Sequence, residues 1–432
     1  QDRWKEFTAR AEEWSEYNFF TSVLQVEPAS EPREGPLAGI PVVVKDNIMT
    51  ACLPTTAGTS HLQKAPLKSR NAPVVDLLEA SGAMVVAKGN MHELAFGITS
   101  NNAHYGPVRN PHNKDLIAGG SSGGPCAAVA AGLVPVALST DTGGSARVPA
   151  ALCGAIGWRP SIGRYPSAGV CPISSSRDTV GLCAQVMADL ILVDSVLSQK
   201  KATTVAADAK LTIGILGGRF ANPLDPGTSS VLESTLARLR AAGHQLVELD
   251  PPEICADMPL KDMPIIMHEA IHDLRTFLAE NSDGVTLEAL IPDVAPAERG
   301  MYEAFLGAAS APGAADTVAK CQAERDELRT KWDDWFKGTG CDLVVYASTP
   351  RPAAPVGEDE TVDLVGERVP TFNTMIRNTD WGAMIDLPAL VLPAGKTDSG
   401  LPVGVEFAGA RSSDDNVLAW GALLESVVVP AN

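Results

Sequence analysis

The chain has 432 residues, of which 45% are hydrophobic and 20% are charged, a composition typical of a globular protein that excludes a disordered one. Its formal net charge of −18 argues against nucleic acid and anionic membrane surfaces as partners, because like charges repel. No run approaches the roughly 18 consecutive apolar residues of a membrane-spanning helix, so we expect none.

The eight cysteines form no C-x-x-C pair, and most of them stand among small apolar residues. In a chain of this length, such cysteines are typical of reduced, buried thiols in a cytoplasmic protein, although the sequence does not exclude disulfides. Composition leaves the oligomeric state open, a homodimer included.

Predicted helices and strands alternate along the chain. Apolar residues recur at helical spacing over 2–26, and a β-branched run over 40–44 predicts a buried strand. The further predicted elements are helices over 72–81, 91–96, 125–132 and 229–242, and strands over 83–87, 134–138, 211–216 and 244–249. This alternation predicts an α/β fold, a mixed and mostly parallel twisted sheet covered by helices on both faces.

Residues 255–340 break the alternation, because they are rich in helical patterns and poor in strand patterns. We interpret them as a variable helical insertion or cap. Strand patterns return over 341–346 and 389–393, so we expect one domain over 1–432 that contains this insertion.

Two glycine–serine clusters and one lysine carry the candidate chemistry. Lys45 follows the apolar strand 40–44, and its burial would lower the pKa of the ammonium group and make the amine a base. The clusters are Gly119–Gly124 and Asp141–Arg147, and the amides of Thr142, Gly143, Gly144 and Ser145 in the second could bind an oxyanion. Taken singly, each cluster is equally well interpreted as a plain turn, and Lys45 is better interpreted as a lysine that reaches solvent.

Together the three segments resemble the amidase signature family, through "GIPVVVKDN", "AGGSSGG" and "STDTGGSARVPAALCGAIGWRPSIGR". The segment "DLPALVLPAGKTDSGLPVGVEFAG" is also similar to the C-terminal part of that family. The resemblance implies Ser145 as nucleophile, Ser121 as proton relay after a cis Gly120–Ser121 peptide, and Lys45 as base. It implies no metal and no organic cofactor. One departure is Pro125, which suits the first turn of a helix.

The implied reaction is hydrolysis of an amide through an acyl-enzyme on Ser145. Two further segments, "NMHELAFGITSNNAHYGPVRNP" and "GWRPSIGRYPSAGVCPISSSRDTVG", look similar to the mandelamide and indoleacetamide hydrolase branch, which implies a small aryl or arylalkyl amide. Phe96, Ile98 and Tyr165 are candidate substrate-binding residues, with ordinary core packing as the alternative. The same three residues would also serve a carbamate, anilide or ester hydrolase. An amidotransferase glutaminase subunit, active only in a complex, is a further alternative.

Two competing motifs fit less well. His268-Glu269-Ala270-Ile271-His272 matches the zinc-protease pattern H-E-x-x-H, but the sequence shows no third ligand with a supporting motif. Residues 119–123 match the G-x-S-x-G nucleophile elbow, which needs a downstream histidine near the C-terminus, whereas the last histidine is His272. We therefore expect no metal site and no histidine-based triad.

Overall fold

An eleven-stranded sheet is the central element of the computed structural model, which describes residues 2–26, 34–252 and 262–430. Its strands are β1 (Phe20–Val23), β2 (Pro41–Lys45), β3 (Met84–Gly89), β8 (Val136–Asp141), β9 (Ile156–Arg159), β10 (Thr179–Ala184), β11 (Thr212–Leu216), β12 (Gln245–Leu249), β13 (Leu343–Ala347), β16 (Ala389–Lys396) and β17 (Pro402–Ala408). Three hairpins lie outside it: β4 (Asn101–Asn102) with β5 (Gly106–Pro107), β6 (Arg109–Asn110) with β7 (Asn113–Ile117), and β14 (Thr361–Leu364) with β15 (Glu367–Pro370).

The spatial order of the main sheet is β1-β3-β2-β8-β10-β9-β16-β17-β13-β11-β12. Parallel pairing occurs in two blocks of the described chain, β3-β2-β8 and β13-β11-β12. The strands between these blocks, and β1 at the edge, pair antiparallel. The expected mixed α/β sheet is confirmed, although parallel pairs are confined to these two blocks.

Helices cover both faces of the sheet. The α-helices of the described chain are α1 (Asp2–Glu13), α2 (Ser60–Lys64), α3 (Pro73–Ala80), α4 (Gly123–Ala130), α5 (Arg147–Cys153), α6 (Met187–Ser198), α7 (Pro226–Ala241), α8 (Met263–Asn281), α9 (Leu287–Leu290), α10 (Pro296–Ala309), α11 (Ala314–Thr339), α12 (Thr371–Ile376), α13 (Asp380–Met384) and α14 (Asp414–Val428). Val42 and Val44 of β2 pack in the core with α3, α6, α7 and α14, whereas Val43 packs with α1 and α4. The continuous apolar run of β2 follows from this double burial.

Two predicted helices are shorter than expected. The helix predicted over 2–26 ends at Glu13, and after Asn18, whose φ is 56°, the chain forms strand β1 against β3. The helix predicted over 91–96 is only a 3-10 turn, Glu93–Ala95, because Leu94 has a φ of 50°. Asn18 ends the 3-10 turn Ser15–Tyr17 that follows α1, and Leu94 lies inside the second turn, so a left-handed residue prevents a continuous helix in each segment.

The predicted insertion is helical where it is described. Helices α8 to α11 occupy residues 263–339, and strand β13 follows at Leu343. Residues 255–261, including Cys255, lie outside the described part of the chain. No helix among the described residues has both the length and the apolar character needed to cross a bilayer.

Candidate active site

Lys45 ends strand β2 inside the protein and is fully buried. Its Nζ donates to Ser121 Oγ at 2.8 Å and to Thr140 Oγ1 at 2.7 Å. Burial lowers the pKa of Lys45 to about 7, against the opposing charges of Asp141 and Asp178. A large fraction of the amine is therefore neutral near pH 7, and the alternative of a solvent-reaching lysine is wrong.

The two glycine–serine clusters lie against one another. The Gly120–Ser121 peptide is cis, and Ser121 is fully buried between β7 and α4. The Ser122 amide donates to Ser145 O at 3.1 Å, which joins the first cluster to the second. Ser145 is 7% exposed at the edge of a cavity, and its hydroxyl makes no hydrogen bond within the described residues. Ser145 is thus accessible to a small molecule, whereas Ser121 contacts the lysine.

A buried charge network fixes the loop that carries Ser145. Asp141 receives the Arg147 guanidinium through both carboxylate oxygens, at 2.9 and 3.0 Å, and also receives Arg159 Nη1 at 3.0 Å. The two guanidinium groups hold the pKa of Asp141 well below its usual range, although burial alone would raise it. The loop is therefore rigid before any substrate binds.

The same network corrects one of the expected oxyanion amides. Gly144 N donates to Asp141 Oδ1 at 2.9 Å, so this amide is already used. Thr142 and Gly143 line the cavity beside Ser145, and the amides of Gly143 and Ser145 have no hydrogen-bond partner within the described residues. The structure thus leaves Thr142, Gly143 and Ser145 of the four expected amides as candidates and removes Gly144.

Asp178 is a site residue that the motifs did not reveal. It is partly buried and accepts a hydrogen bond from Thr142 Oγ1 at 2.6 Å and from the amides of Ile173 and Ser174 at 2.8 and 3.0 Å. Burial raises the pKa of Asp178 to about 6, so the group is mostly charged at pH 7. Its carboxylate therefore orients Thr142 and raises the pKa of Lys45.

An apolar cavity, which we call the acyl cavity, opens at Ser145. Its empty space is about 650 Å³, counted together with the solvent at its open mouth. Its lining residues are Ala95, Phe96, Gly97, Ile98, Thr142, Gly143, Ser145, Ile173, Arg177, Met263, Ile266, Phe372, Asn373, Ile376 and Asp380. The Phe96 and Phe372 rings are nearly parallel, at 12° and 6.5 Å between centroids.

The structure places the three candidate substrate-binding residues in two different regions. Phe96 and Ile98 line the acyl cavity. Tyr165 does not, because its hydroxyl donates to Asp194 and accepts from Trp158 Nε1 in the core, where its exposed fraction is 3%. Tyr165 lies close to a motif in the sequence, but this proximity did not place its side chain in the acyl cavity.

Several walls of the acyl cavity come from segments without any recognisable motif. Ile266 belongs to the insertion, whereas Phe372 and Ile376 belong to α12. Arg177 ties these segments to the nucleophile loop, since it donates to Thr142 O at 3.1 Å and to Asp262 at 2.9 Å and also pairs with Asp380. No sequence pattern identified Ile266, Phe372 or Ile376, whereas Arg177 lies within the quoted segment 157–181.

The competing motifs have other surroundings. The His268 and His272 rings are stacked 6.1 Å apart, and Glu269 accepts from Ser174 and Ser176 hydroxyls at 2.5 and 2.8 Å. Within the described residues, no three His, Cys, Asp or Glu side chains are grouped so as to hold a metal ion. The hydroxyl of Ser121, the serine of the G-x-S-x-G match, accepts from Lys45 Nζ, and the described residues place no histidine ring in hydrogen-bond contact with it.

The expectation of unpaired cysteines needs one correction. The sulfur atoms of Cys126 on α4 and Cys183 on β10 are in contact, with Cα atoms 5.6 Å apart. This separation lies within the span of a disulfide. The helix and the strand face each other here because both pack in the same core, so the pairing is a tertiary contact that the sequence spacing does not encode.

This fold and this site define a class of enzymes, the amidases. A family model described as Amidase matches residues 19–418, and the chain therefore belongs to the Amidase family. An indoleacetamide hydrolase from Agrobacterium vitis is 38% identical over 398 residues, covering 91% of this chain and 84% of that relative. A mandelamide hydrolase from Pseudomonas putida is 35% identical over 408 residues, covering 91% and 79%. A crystal structure of an amidase matches with a TM-score of 0.85 and 29% identity, covering 99% of this chain and 95% of that one.

Proposed function

We propose that this amidase hydrolyses the C–N bond of a small aryl or arylalkyl amide through an acyl-enzyme on Ser145. The observation that carries the proposal is the 2.8 Å contact between a fully buried Lys45 and Ser121, one loop away from a serine in an apolar cavity. Lysine–serine pairs are known alternatives to the histidine triad.

The chemistry follows from the order of these groups. Neutral Lys45 accepts a proton from Ser121, and Ser121 accepts one from Ser145, whose oxygen attacks the amide carbonyl. The developing oxyanion lies at the amides of Gly143 and Ser145, with Thr142 beside them, and such donors each contribute about 3–4 kcal/mol in a dry site. The relay then returns a proton to the leaving nitrogen, and water hydrolyses the acyl-enzyme.

The cavity wall supports an aromatic acyl group. The facing Phe96 and Phe372 rings, with Phe305 packed edge-on against Phe96 at 5.3 Å, form an aromatic surface next to the nucleophile. An aryl ring stacks on such faces more favourably than an alkyl chain does, by about 0.5–1.5 kcal/mol. The relatives named for indoleacetamide and mandelamide agree with this preference.

A matched substrate panel tests the proposal. One arylacetyl group is presented as a primary amide, an anilide and an ester, beside an aryl carbamate and acetamide, to the isolated chain and to Ser145→Ala. We expect the highest kcat/KM on the primary arylacetamide, and labelling of Ser145 by a sulfonyl fluoride, located by mass spectrometry.

Other rank orders of kcat/KM across the substrate panel would identify the alternative functions. A carbamate or anilide that exceeds the primary amide would assign the enzyme to that branch of the same chemistry. An isolated chain that cleaves none of these substrates would favour a subunit that needs a partner. Full activity in Ser145→Ala would remove the mechanism altogether.

A further inference from the structure

Residues 92–99, which we call the wall loop, connect the relay serine to the acyl cavity. At the start of the loop, the amide of His92 donates to Ser121 O at 3.1 Å. Further along the loop, residues 95–98 line the acyl cavity. Because one end of the loop is bonded to the relay serine, a shift of its middle changes the width of the cavity beside the nucleophile.

The His92 side chain fills the inside of the wall loop. Its exposed fraction is 8%, and an ideal Cβ atom at Gly97 would lie only 2.0 Å from His92 Nε2. The ring therefore lies directly against the Gly97 backbone. At the far end of the loop, Thr99 Oγ1 lies 3.5 Å from His92 Nδ1 and donates to Asp359 at 2.7 Å. The wall loop is thus wrapped around the imidazole, and the place of the ring sets the place of the loop.

The same ring contacts the insertion. His92 Nε2 lies 2.9 Å from Glu298 Oε1 on α10, and the two side chains are only 11% and 13% exposed. Burial favours a neutral Glu298, but the hydrogen bond from His92 outweighs it and lowers the pKa of this carboxyl below its ordinary value. The carboxylate has no proton to give, so the ring nitrogen is the donor. Such a charge-assisted bond, shielded from water, fixes both a distance and a direction.

Two further contacts join the wall loop to α10. Glu93 Oε2 accepts from the amide of Ala295, the residue that caps the start of this helix, at 2.9 Å. Further along the helix, the rings of Tyr302 and Phe305 pack edge-on against Phe96. Ring packing tolerates sliding, whereas hydrogen bonds have narrow geometric requirements. The polar contacts at the start of α10 therefore determine where its rings meet Phe96.

We propose that the His92–Glu298 hydrogen bond is a positioning contact through which the insertion sets the place of Phe96 and hence the preference for aryl over alkyl acyl groups. The proposal rests on the proposed function. Neither partner is among the described lining residues of the acyl cavity, so both act through the wall loop and not on the substrate. The insertion thereby becomes a determinant of substrate selectivity.

The ratio of kcat/KM for the primary arylacetamide to that for acetamide tests the proposal. His92→Ala and Glu298→Ala should each lower this ratio by about fivefold, the size of one aromatic contact. The loss should appear as a higher KM for the arylacetamide, with kcat changed by less than about twofold, because the nucleophile and the base are untouched. Glu298→Gln keeps an oxygen acceptor for the ring and should retain most of the wild-type ratio.

A second histidine–carboxylate pair provides the matched control. His61 Nδ1 on α2 lies 2.8 Å from Asp293 Oδ2, so this pair also joins the insertion to the rest of the protein. Neither residue belongs to the wall loop or to the described lining of the acyl cavity. His61→Ala and Asp293→Ala should therefore leave the substrate ratio unchanged, although they remove a contact of the same chemical type.

Gly97→Ala tests the contact from inside the loop. The new methyl group would overlap the imidazole and move it away from Glu298, so this variant should lower the substrate ratio as His92→Ala does. When the two substitutions are combined, Gly97→Ala should add little, because the ring that it displaces is gone. Fully additive effects would show that the two positions act independently and would contradict the proposal.

The outcomes that overturn the proposal differ from those that overturn the function. An unchanged ratio in both His92→Ala and Glu298→Ala removes the positioning role, and so does an equal fall in His61→Ala. Equal losses of kcat on both substrates would indicate a general disturbance around Ser145 and would also contradict the proposal. The ratio is internal to each preparation, and Glu298→Ala keeps the test available if His92→Ala does not fold. A wild-type enzyme that cleaves neither amide would instead contradict the proposed function.

Discussion

The floor and the wall of the acyl cavity are built in different ways. The floor is formed by Ser145, and the Lys45–Ser121 pair is buried outside the cavity lining; this polar region is held by hydrogen bonds and ion pairs. The wall, with Phe96 and Phe372, is apolar and held by ring packing between distant segments. Hydrogen-bonded groups have narrow geometric requirements, whereas apolar contacts tolerate replacement by side chains of similar volume. We therefore expect changes in the floor to abolish the reaction and changes in the wall to alter its selectivity.

The largest effect is expected from Ser145→Ala. Loss of the nucleophile should lower kcat on the preferred amide by more than about 10³-fold, since single deletions in such units remove most of the catalysis. Steady-state kinetics and thermal unfolding of the same preparation measure it. A variant with an unchanged Tm that keeps more than about a tenth of the wild-type kcat would contradict this assignment.

Lys45→Ala should be nearly as severe. Removal of the base leaves Ser121 without a proton acceptor, and general-base contributions amount to about 10²–10⁴-fold in rate. The rate of inactivation by a sulfonyl fluoride should fall together with kcat, because both report the nucleophilicity of Ser145. A fast-labelling but inactive variant would place Lys45 in a later step.

The pH dependence distinguishes a neutral lysine from a charged one. Because the pKa of Lys45 is lowered to about 7, kcat/KM should rise as pH increases through about 7 and be lost below it. Asp178→Asn removes a negative charge that favours the ammonium form, so the midpoint should move to lower pH. A midpoint that moves upward, or a profile that is flat between pH 5 and pH 9, would exclude Lys45 as the titrating base.

Phe372→Ala changes the wall and should lower kcat/KM on the arylacetamide by about tenfold, in line with the loss of one aromatic contact of about 1.4 kcal/mol. Activity on acetamide, which does not reach this ring, should change much less, so the ratio of the two substrates is the quantity to measure. Phe372→Leu, of similar apolar character, is the matched control. Its ratio of arylacetamide to acetamide activity should lie between those of the wild type and of Phe372→Ala. Equal losses on both substrates would indicate a general disturbance of the floor.

Tyr165→Phe should have the smallest effect on activity. The residue lies in the core, so the variant should lose about 0.5–1.5 kcal/mol of unfolding free energy with its hydrogen bonds to Asp194 and Trp158, while kcat/KM stays unchanged. Denaturant unfolding and steady-state kinetics are compared. A shift in substrate preference would return Tyr165 to the substrate site.

The polar floor of the acyl cavity was largely predictable from the sequence, whereas its apolar wall was not. The position of Lys45 was predictable because a short apolar strand fixes where its last side chain lies, and the serine clusters were recognisable because their glycines and hydroxyls are contiguous. Phe372 and Ile266 were not predictable, because their place in the wall depends on how α12 and α8 pack. The assignment of Tyr165 to substrate binding was wrong for a related reason, since proximity to a motif along the chain does not specify where a side chain lies in the fold. The assignment of the Gly144 amide to the oxyanion site was wrong, because this amide donates its hydrogen bond to the carboxylate of Asp141.

Arg177 restricts how this enzyme can be re-engineered. One buried guanidinium joins the nucleophile loop at Thr142 to Asp262, which precedes α8 within the insertion, and to Asp380 in the C-terminal segment. A chimera that exchanges the helices 263–339 with those of a relative would therefore have to retain both carboxylates, or it would leave an unbalanced cation beneath the nucleophile loop. Grafting new specificity onto this scaffold is thus a problem of charge matching before it is a problem of shape.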